Sequence, residues 1–385
     1  MSDEAPMGPV LRRLRSLPGP VIWAAVGVVA TLTLGIVVQV TAPTQPLIVL
    51  ADSGLFAEGS GFAEDSDSAF TIDYVAGPEL SNAPGVGAVY EMVVEGSPAT
   101  VLSQLAPLFS LEGEPRVSRD YSEAWPGYVV GEENWDSPSL VLTWNGSGSW
   151  FYTDPTAYPE PVCEEVPIQE ADEDVVGWEC SPANPGLPLP TAGEAQQMAW
   201  EIFRDAGLEA TLEDVVVLTD DEWGVGVSVA ARVAGEPTAL EWTMFWAPGP
   251  ILASASGHSA TAVYRGDFDT VSPRDVVDRL SSGSWWGAPA IDYEAALEDV
   301  HMLEGLTLED NIFDEPIGIH GATATSLLIW DNDGGQWIVP GYALSFCESD
   351  LHTTTVVSLT EETLRIEEPG VREPLPQPDI AQRKG

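Results

Sequence analysis

The feature that most constrains this chain is a long uncharged segment near its start. No charged residue occurs between Ser16 and Ala51, and three arginines lie just upstream. Residues 19–40 form an apolar run of about 20 residues, which is enough to cross a bilayer as a helix. Because flanking arginines stay on the cytoplasmic side, the pattern predicts a cytoplasmic N-terminus at 1–18 and a type II, single-pass topology. These arginines are Arg12, Arg13 and Arg15.

A cleaved signal peptide is the alternative interpretation of the same segment. Signal peptides have an apolar core of roughly 7–15 residues followed by a small-x-small site, and this core is longer. The best site, Val40-Thr41-Ala42, is followed by Pro43, which is unfavourable for cleavage. We therefore expect a membrane anchor with the rest of the chain outside the cytoplasm. Small residues such as Gly27 and Gly35 would let a second membrane helix approach closely, although they are also ordinary membrane-helix composition.

Composition narrows the class of partner. The chain has 61 acidic and 14 basic residues, a formal net charge of −47. Nucleic-acid binding needs a basic surface, so this class is excluded. Cationic peptides, metal ions or the basic face of a partner remain compatible with the charge. An acid-rich proteome would produce the same composition without any functional meaning.

The three cysteines suit an exported chain. We predict a disulfide between Cys163 and Cys180, because an oxidising compartment permits it and both flank one acidic loop. Closing that loop of about 18 residues is worth on the order of 3 kcal/mol in the chain-entropy model. Cys347 lies in an apolar stretch and is predicted to be a free, buried thiol. No cysteine and histidine spacing resembles a zinc site.

Turn signals and hydrophobic periodicity divide the chain and predict an α+β fold. The N-terminal transmembrane helix is followed by two or three mixed modules of antiparallel sheet with packed helices. The predicted segments after the anchor are a spacer at 41–67, an α+β module at 68–160, a disulfide-clipped Pro-rich linker at 161–190, a second α+β module at 191–290, a β-rich segment at 291–368 and a disordered tail at 369–385.

Local signals within these modules are specific in a few places. Thr191 and Glu194 form a capping box at the start of an amphipathic helix, and Asn145-Gly146 predicts a hairpin turn. Ser97-Pro98 and Ser272-Pro273 each follow an Ala-Val-Tyr strand and each predict a helix start. This repeated strand and Ser-Pro helix suggests an internal duplication, although such a unit also arises by chance.

Part of the chain resembles a known family. The helix Thr191–Gly207, the strand Val225–Val233, the turn at Gly235-Glu236-Pro237 and the strand Ile251–Gly257 together resemble the PepSY/YycI-like module. The resemblance covers roughly 191–280. A second hairpin, within 326–346, is similar to the C-terminal end of actinobacterial membrane-anchored exported proteins of this layout. The resemblance implies a non-catalytic binding or regulatory module, and no catalytic residue is carried over from the family.

Chemistry-bearing motifs are few. None of the four histidines has metal-ligand spacing, and we expect them to lie on the surface or in turns; they are His258, His301, His320 and His352. Gly146-Ser147-Gly148 is predicted to be a turn, not a nucleophile elbow. Asp331-Asn332-Asp333-Gly334 lacks the spaced ligands and closing Glu of a calcium loop, so a hairpin turn is the simpler interpretation.

The aromatic residues are the best candidates for a binding surface. Trp285 and Trp286 lie in a Gly/Ser-rich stretch, where two bulky apolar side chains require a reason. As a candidate binding surface they would contribute to a groove for a peptide or glycan; the interpretation that they plug the seam between modules is favoured over it. Other tryptophans that could line this groove are Trp125, Trp135 and Trp178.

These observations predict a membrane-anchored, extracytoplasmic, non-enzymatic binding or regulatory protein of a bacterial envelope. Its partner would be another membrane or envelope protein or a peptide, and no cofactor or metal is expected. Two other functions remain open: an envelope hydrolase with an unrecognised site, and a structural partner of another membrane protein.

Overall fold

The computed structural model of this chain is built mainly from β-strands. Strands contain 51% of the described residues and helices 16%. The predicted α+β class is therefore wrong. Several segments form long antiparallel strands, up to the 14 residues of Ile317–Trp330, while the helices stay short. The structure describes residues 46–51, 73–121, 126–134, 136–157, 161–167, 176–182, 186–282, 284–290, 316–346 and 353–367.

The strands of the described residues are numbered in chain order. The first nine are β1 (Ile48–Ala51), β2 (Tyr74–Ala76), β3 (Gly85–Val94), β4 (Arg116–Val117), β5 (Gly127–Gly131), β6 (Ser139–Thr143), β7 (Ser149–Thr153), β8 (Val162–Pro167) and β9 (Val176–Ser181). The others are β10 (Val216–Asp221), β11 (Gly224–Val233), β12 (Glu236–Ala247), β13 (Ile251–His258), β14 (Ala260–Thr270), β15 (Ala288–Pro289), β16 (Ile317–Trp330), β17 (Gln336–Phe346), β18 (Thr353–Val357) and β19 (Leu364–Glu367).

Two α-helices are present in the described part, α1 (Pro98–Leu105) and α2 (Ala192–Asp205). Each begins as its sequence predicts: the Ser97 hydroxyl accepts a hydrogen bond from the Thr100 amide, and Thr191 with Glu194 forms the full capping box. Ser272-Pro273 starts a 3₁₀ helix instead of an α-helix. The 3₁₀ helices are Ala106–Phe109, Pro155–Ala157, Leu212–Asp214 and Asp275–Ser282.

The larger sheet joins two strand meanders that are far apart in sequence. Its eight antiparallel strands run in the order β10-β11-β12-β13-β7-β6-β5-β4. Each meander follows one α-helix, and the last strands of the two, β7 and β13, pair at the centre. Both helices pack on the same face and bury their apolar stripes there. Phe203 of α2 and Trp150 of β7 both contact Trp242, with ring centroids 5.6 and 5.3 Å apart.

The second sheet has the order β14-β3-β17-β16-β15, with β18 added to β17 and β2 to β16. The chain passes from the first sheet to the second through a single residue, Ser259, which separates β13 from β14. Leu240 of β12 packs against Met92, Leu328 and Ile338 of the second sheet. The two Ala-Val-Tyr strands of the suggested duplication are neighbours here, since Tyr90 in β3 lies opposite Tyr264 in β14.

Two smaller elements complete the described fold. Strand β1 lies within the predicted spacer, but it pairs in parallel with β19 and buries Ile48 and Leu50 in a core cluster. Strands β8 and β9 form a separate antiparallel hairpin, within which the predicted disulfide joins Cys163 to Cys180.

Several predictions fall outside the described residues. These are the transmembrane helix at 19–40, the tail at 369–385, Cys347, Trp125, Trp135, His301 and His352. In the part that the structure does describe, no helix is both long enough and apolar enough to span a bilayer.

Candidate functional site

The face of the eight-stranded sheet that points away from α1 and α2 is called the open face here. Along a strand, side chains alternate between the two faces, and directly paired residues share one face. Trp150, Met244 and Ala255 contact the helices, so their strand neighbours point to the open face. One row of paired residues on that face runs across five strands: Val141, Phe151, Ser256, Thr243 and Ser228.

A groove of about 210 Å³ lies at the centre of the open face, where β7 pairs with β13. Two aromatic side chains stand on it: Phe151 is 49% exposed and Tyr121 is 40% exposed. The Tyr121 ring lies so close to Gly127 that no side chain would fit at that position. The lining also includes the ring of His258, the apolar side chain of Val141 and the hydroxyl groups of Thr143, Ser149 and Ser256.

The hydroxyl groups of the open face are largely engaged with each other. Thr243 and Ser256 are hydrogen-bonded across strands at 2.8 Å between their hydroxyl oxygens, and the Ser228 hydroxyl donates to the Glu241 carboxylate at 2.9 Å. These hydrogen bonds hold the side chains in place, and no acidic residue is among those that line the groove, although the chain is strongly acidic. A groove of this kind binds by packing on its aromatic rings and by neutral hydrogen bonds.

His258 connects the groove to the turn that precedes β7. Its Nδ1 atom lies 2.8 Å from the Ser147 hydroxyl oxygen and 3.3 Å from that of Ser149. Burial lowers the pKa of His258 to about 4, while a hydrogen bond from the ring to the backbone of Glu241 acts weakly in the opposite direction. The expectation that the histidines lie on the surface or in turns is wrong for His258, because it ends a central strand.

The contact between Ser147 and His258 does not have the properties of a nucleophile and base pair. Ser147 is 0% exposed, so a substrate cannot reach its hydroxyl. The imidazole is oriented by a backbone group of Glu241, not by a carboxylate, and its low pKa makes it a weak general base near neutral pH. We interpret this contact as a structural hydrogen bond between the turn and β13.

The two tryptophans that were predicted to form a binding surface, Trp285 and Trp286, lie in different environments. Trp285 packs against two core clusters, and the guanidinium of Arg279 lies 3.6 Å from its ring centroid. Trp286 is 43% exposed. Neither residue lines the groove of the open face. Phe151 and His258, which do line it, were not singled out as a pair by the sequence, because nothing local brings positions 107 residues apart together.

A second, larger cleft of about 410 Å³ lies between residues 112–120 and 131–134. Most of its lining residues are charged, and one carboxylate among them, that of Glu133, has several partners. Glu133 accepts hydrogen bonds from Ser118 and from the Arg119 amide and lies 3.6 Å from Arg116. Burial raises the pKa of Glu133, but these donors outweigh it and the net pKa is lowered. No aromatic residue is among those that line this cleft, so it lacks the exposed rings that distinguish the groove of the open face.

The described residues contain no group of three potential metal ligands among His, Cys, Asp and Glu. The segment Asp331-Asn332-Asp333-Gly334 forms the turn between the paired strands β16 and β17, as its sequence predicts. The Asp331 carboxylate accepts hydrogen bonds from the amides of Asp333 and Gly335 and from the indole of Trp337.

Comparison with known proteins adds little to this description. No family model matches the chain, and no curated protein matches it. Among solved structures, it is similar to an uncharacterized protein from Eubacterium rectale ATCC 33656, at 11% sequence identity and a TM-score of 0.35. The match covers 77% of this chain and 90% of that chain. A likeness at this level carries no argument about function.

Proposed function

We propose that this chain is an exported, non-enzymatic binding protein that captures a protein or peptide of the bacterial envelope on the open face. The observation that carries the proposal is the central groove, where the exposed rings of Phe151 and Tyr121 stand on a rigid sheet. Aromatic residues on a preorganised scaffold are the usual energetic centres of protein interfaces. The proposed PepSY/YycI-like resemblance agrees with a binding role.

Export is supported by two independent features. The Cys163–Cys180 disulfide is typical of oxidising compartments. The uncharged segment at 16–51 follows three arginines, as in segments that direct a chain to the membrane. An envelope location also restricts the partner to molecules that meet the chain outside the cytoplasm.

The proposal is tested by placing a photo-crosslinking amino acid at Phe151 in cells that make the full chain. The control carries the same amino acid at Tyr264, which is 53% exposed in the second sheet. We expect one discrete crosslinked partner from position 151 and none from position 264. Phe151→Ala should then weaken capture of that partner at least tenfold, since a central aromatic residue contributes roughly 2 kcal/mol or more.

Tyr264→Ala should leave capture unchanged. Equal crosslinking from both positions, or full capture by the Phe151→Ala variant, would remove the open face as the binding surface. A circular dichroism spectrum identical to that of the parent chain shows that the variant is folded.

A further inference from the structure

The hairpin of β8 and β9 presents an aromatic face that the proposed function does not use. Trp178 in β9 is 63% exposed. Three other tryptophans among the described residues have large exposed fractions, but each is lower: 40% for Trp223, 43% for Trp286 and 44% for Trp330. An indole this exposed on a short strand gives up the burial that normally stabilises it. A surface of this kind is typical of a contact with another molecule.

The strand register determines what surrounds this indole. Glu165 lies directly opposite Trp178, and the disulfide between Cys163 and Cys180 is the next pair on the same face. The opposite face has Glu164 directly across from Glu179. Like charges in that position repel each other, so a cation bound close to the hairpin would reduce this repulsion. The described residues of the hairpin include no basic residue.

We propose that the Trp178 face of this hairpin docks a lysine- or arginine-rich segment of a protein partner. A guanidinium or ammonium group stacks on the indole while the opposite Glu165 supplies a carboxylate to it. The strand register puts both side chains on one face, and the disulfide on that face ties the two strands together. This surface is separate from the open face, so it would add a second contact of different chemistry.

Charge complementarity and the exposed ring together determine the kind of molecule that fits this face. The chain as a whole carries a net charge of −47. This charge attracts any cation without a defined geometry, and the attraction weakens as the salt concentration rises. Only a cation that also stacks on an aromatic ring would depend on Trp178. A basic peptide segment meets both conditions, whereas an isolated metal ion meets only the first.

The test is a calorimetric titration of the purified full chain with hexa-arginine amide at about 0.15 M salt, where surface charges are screened beyond roughly 8 Å. We expect Trp178→Ala to weaken binding about fivefold, the size of a single exposed cation–π contact. Trp178→Phe should retain part of the affinity, because it keeps an aromatic ring. The matched control, Trp223→Ala, removes another exposed indole without changing charge and should stay within twofold of the parent.

A second pair of variants separates local from diffuse attraction. Glu165→Gln and Glu222→Gln change the net charge equally, but only the first removes the carboxylate opposite Trp178. We expect the larger loss for Glu165→Gln. Equal losses within each pair, or no loss for Trp178→Ala, would show diffuse attraction only and overturn the proposal. The disulfide of each variant is checked by mass spectrometry, so that a lost hairpin is not mistaken for a lost contact.

Discussion

At the scale of single residues, burial of His258 makes the free energy of unfolding depend on pH. The pKa of this residue falls from 6.5 to about 4 on folding, because burial disfavours the charged, protonated form of the ring. The unfolded chain therefore binds this proton more readily, and protonation favours unfolding. The stabilisation is complete above about pH 6.5 and is lost as the pH falls toward 4, by up to about 3 kcal/mol.

We expect the urea midpoint of the parent chain to fall between pH 6.5 and 5, and the midpoint of His258→Gln to be nearly constant over that range. Carboxyl groups with lowered pKa values, such as Glu194 and Asp214, start from 4.5 and 3.8 and so titrate below this window. The control is His320→Gln, which alters a half-exposed histidine that contacts Glu79 and should keep the decline of the parent. A parallel decline in His258→Gln would show that another group is responsible.

At the scale of elements, the 3₁₀ helix Asp275–Ser282 packs Val276 and Val277 into a core cluster of the second sheet, and one cation and one ring add to this attachment. The Arg279 guanidinium covers Trp285 and donates to the carbonyls of Val357 and Leu359, at 2.8 Å each. Burial lowers the pKa of Arg279 to about 10, and the charge of Glu361 partly opposes this effect. Trp285 thus supports the attachment of this element, while Trp286 next to it is 43% exposed.

We therefore expect Trp285→Ala to lower the free energy of unfolding by about 3 kcal/mol, because it removes a packed ring and a stacked cation. Trp286→Ala should lower it by about 1 kcal/mol or less, as is usual for exposed positions. Chemical denaturation of the two single variants, at equal protein concentration, measures both values. A reversed order would assign Trp286 to the core and Trp285 to the surface.

At the scale of elements, the features that the sequence could predict are those formed by residues close together in the chain. The capping box of Thr191 and Glu194, the turn at Asn145-Gly146 and the hairpin disulfide were predicted because each depends on residues close in sequence. The pairing of Phe151 with Ser256 depends on two strands about 100 residues apart, and no local pattern encodes it. The α+β prediction was wrong for a related reason, since strand length is determined by distant pairing partners as well as by local propensity.

At the scale of the whole molecule, sheet pairing crosses the boundaries suggested by sequence periodicity. Strands from 116–153 and 216–258 share one sheet. The second sheet combines β2 and β3, which precede the first of these regions, and β14 and β15, which follow the second, with β16, β17 and β18. A binding surface at the seam of the two meanders therefore depends on both being folded together. This explains why the open face could not be predicted from either region alone.

The compartment of the molecule is also a property of the whole chain. We expect an alkaline phosphatase reporter joined after residue 367 to be active in cells, because the phosphatase folds only in an oxidising compartment. The control lacks residues 1–45 and should be inactive. A non-reduced digest of the exported chain should contain the Cys163–Cys180 peptide. An inactive fusion of the full chain, or a peptide joining Cys163 to Cys347, would contradict the proposed export and pairing.

The parallel pairing of β1 with β19 has a mechanical consequence. Ile48 lies opposite Leu364 and Ala51 opposite Glu367, so the chain enters this pair at one end and leaves it at the other. Tension applied between the two chain ends would load these backbone hydrogen bonds together in shear, instead of opening them one after another. If the chain were held at its start and pulled by a partner beyond residue 367, this pair of four-residue strands would bear the force before either large sheet.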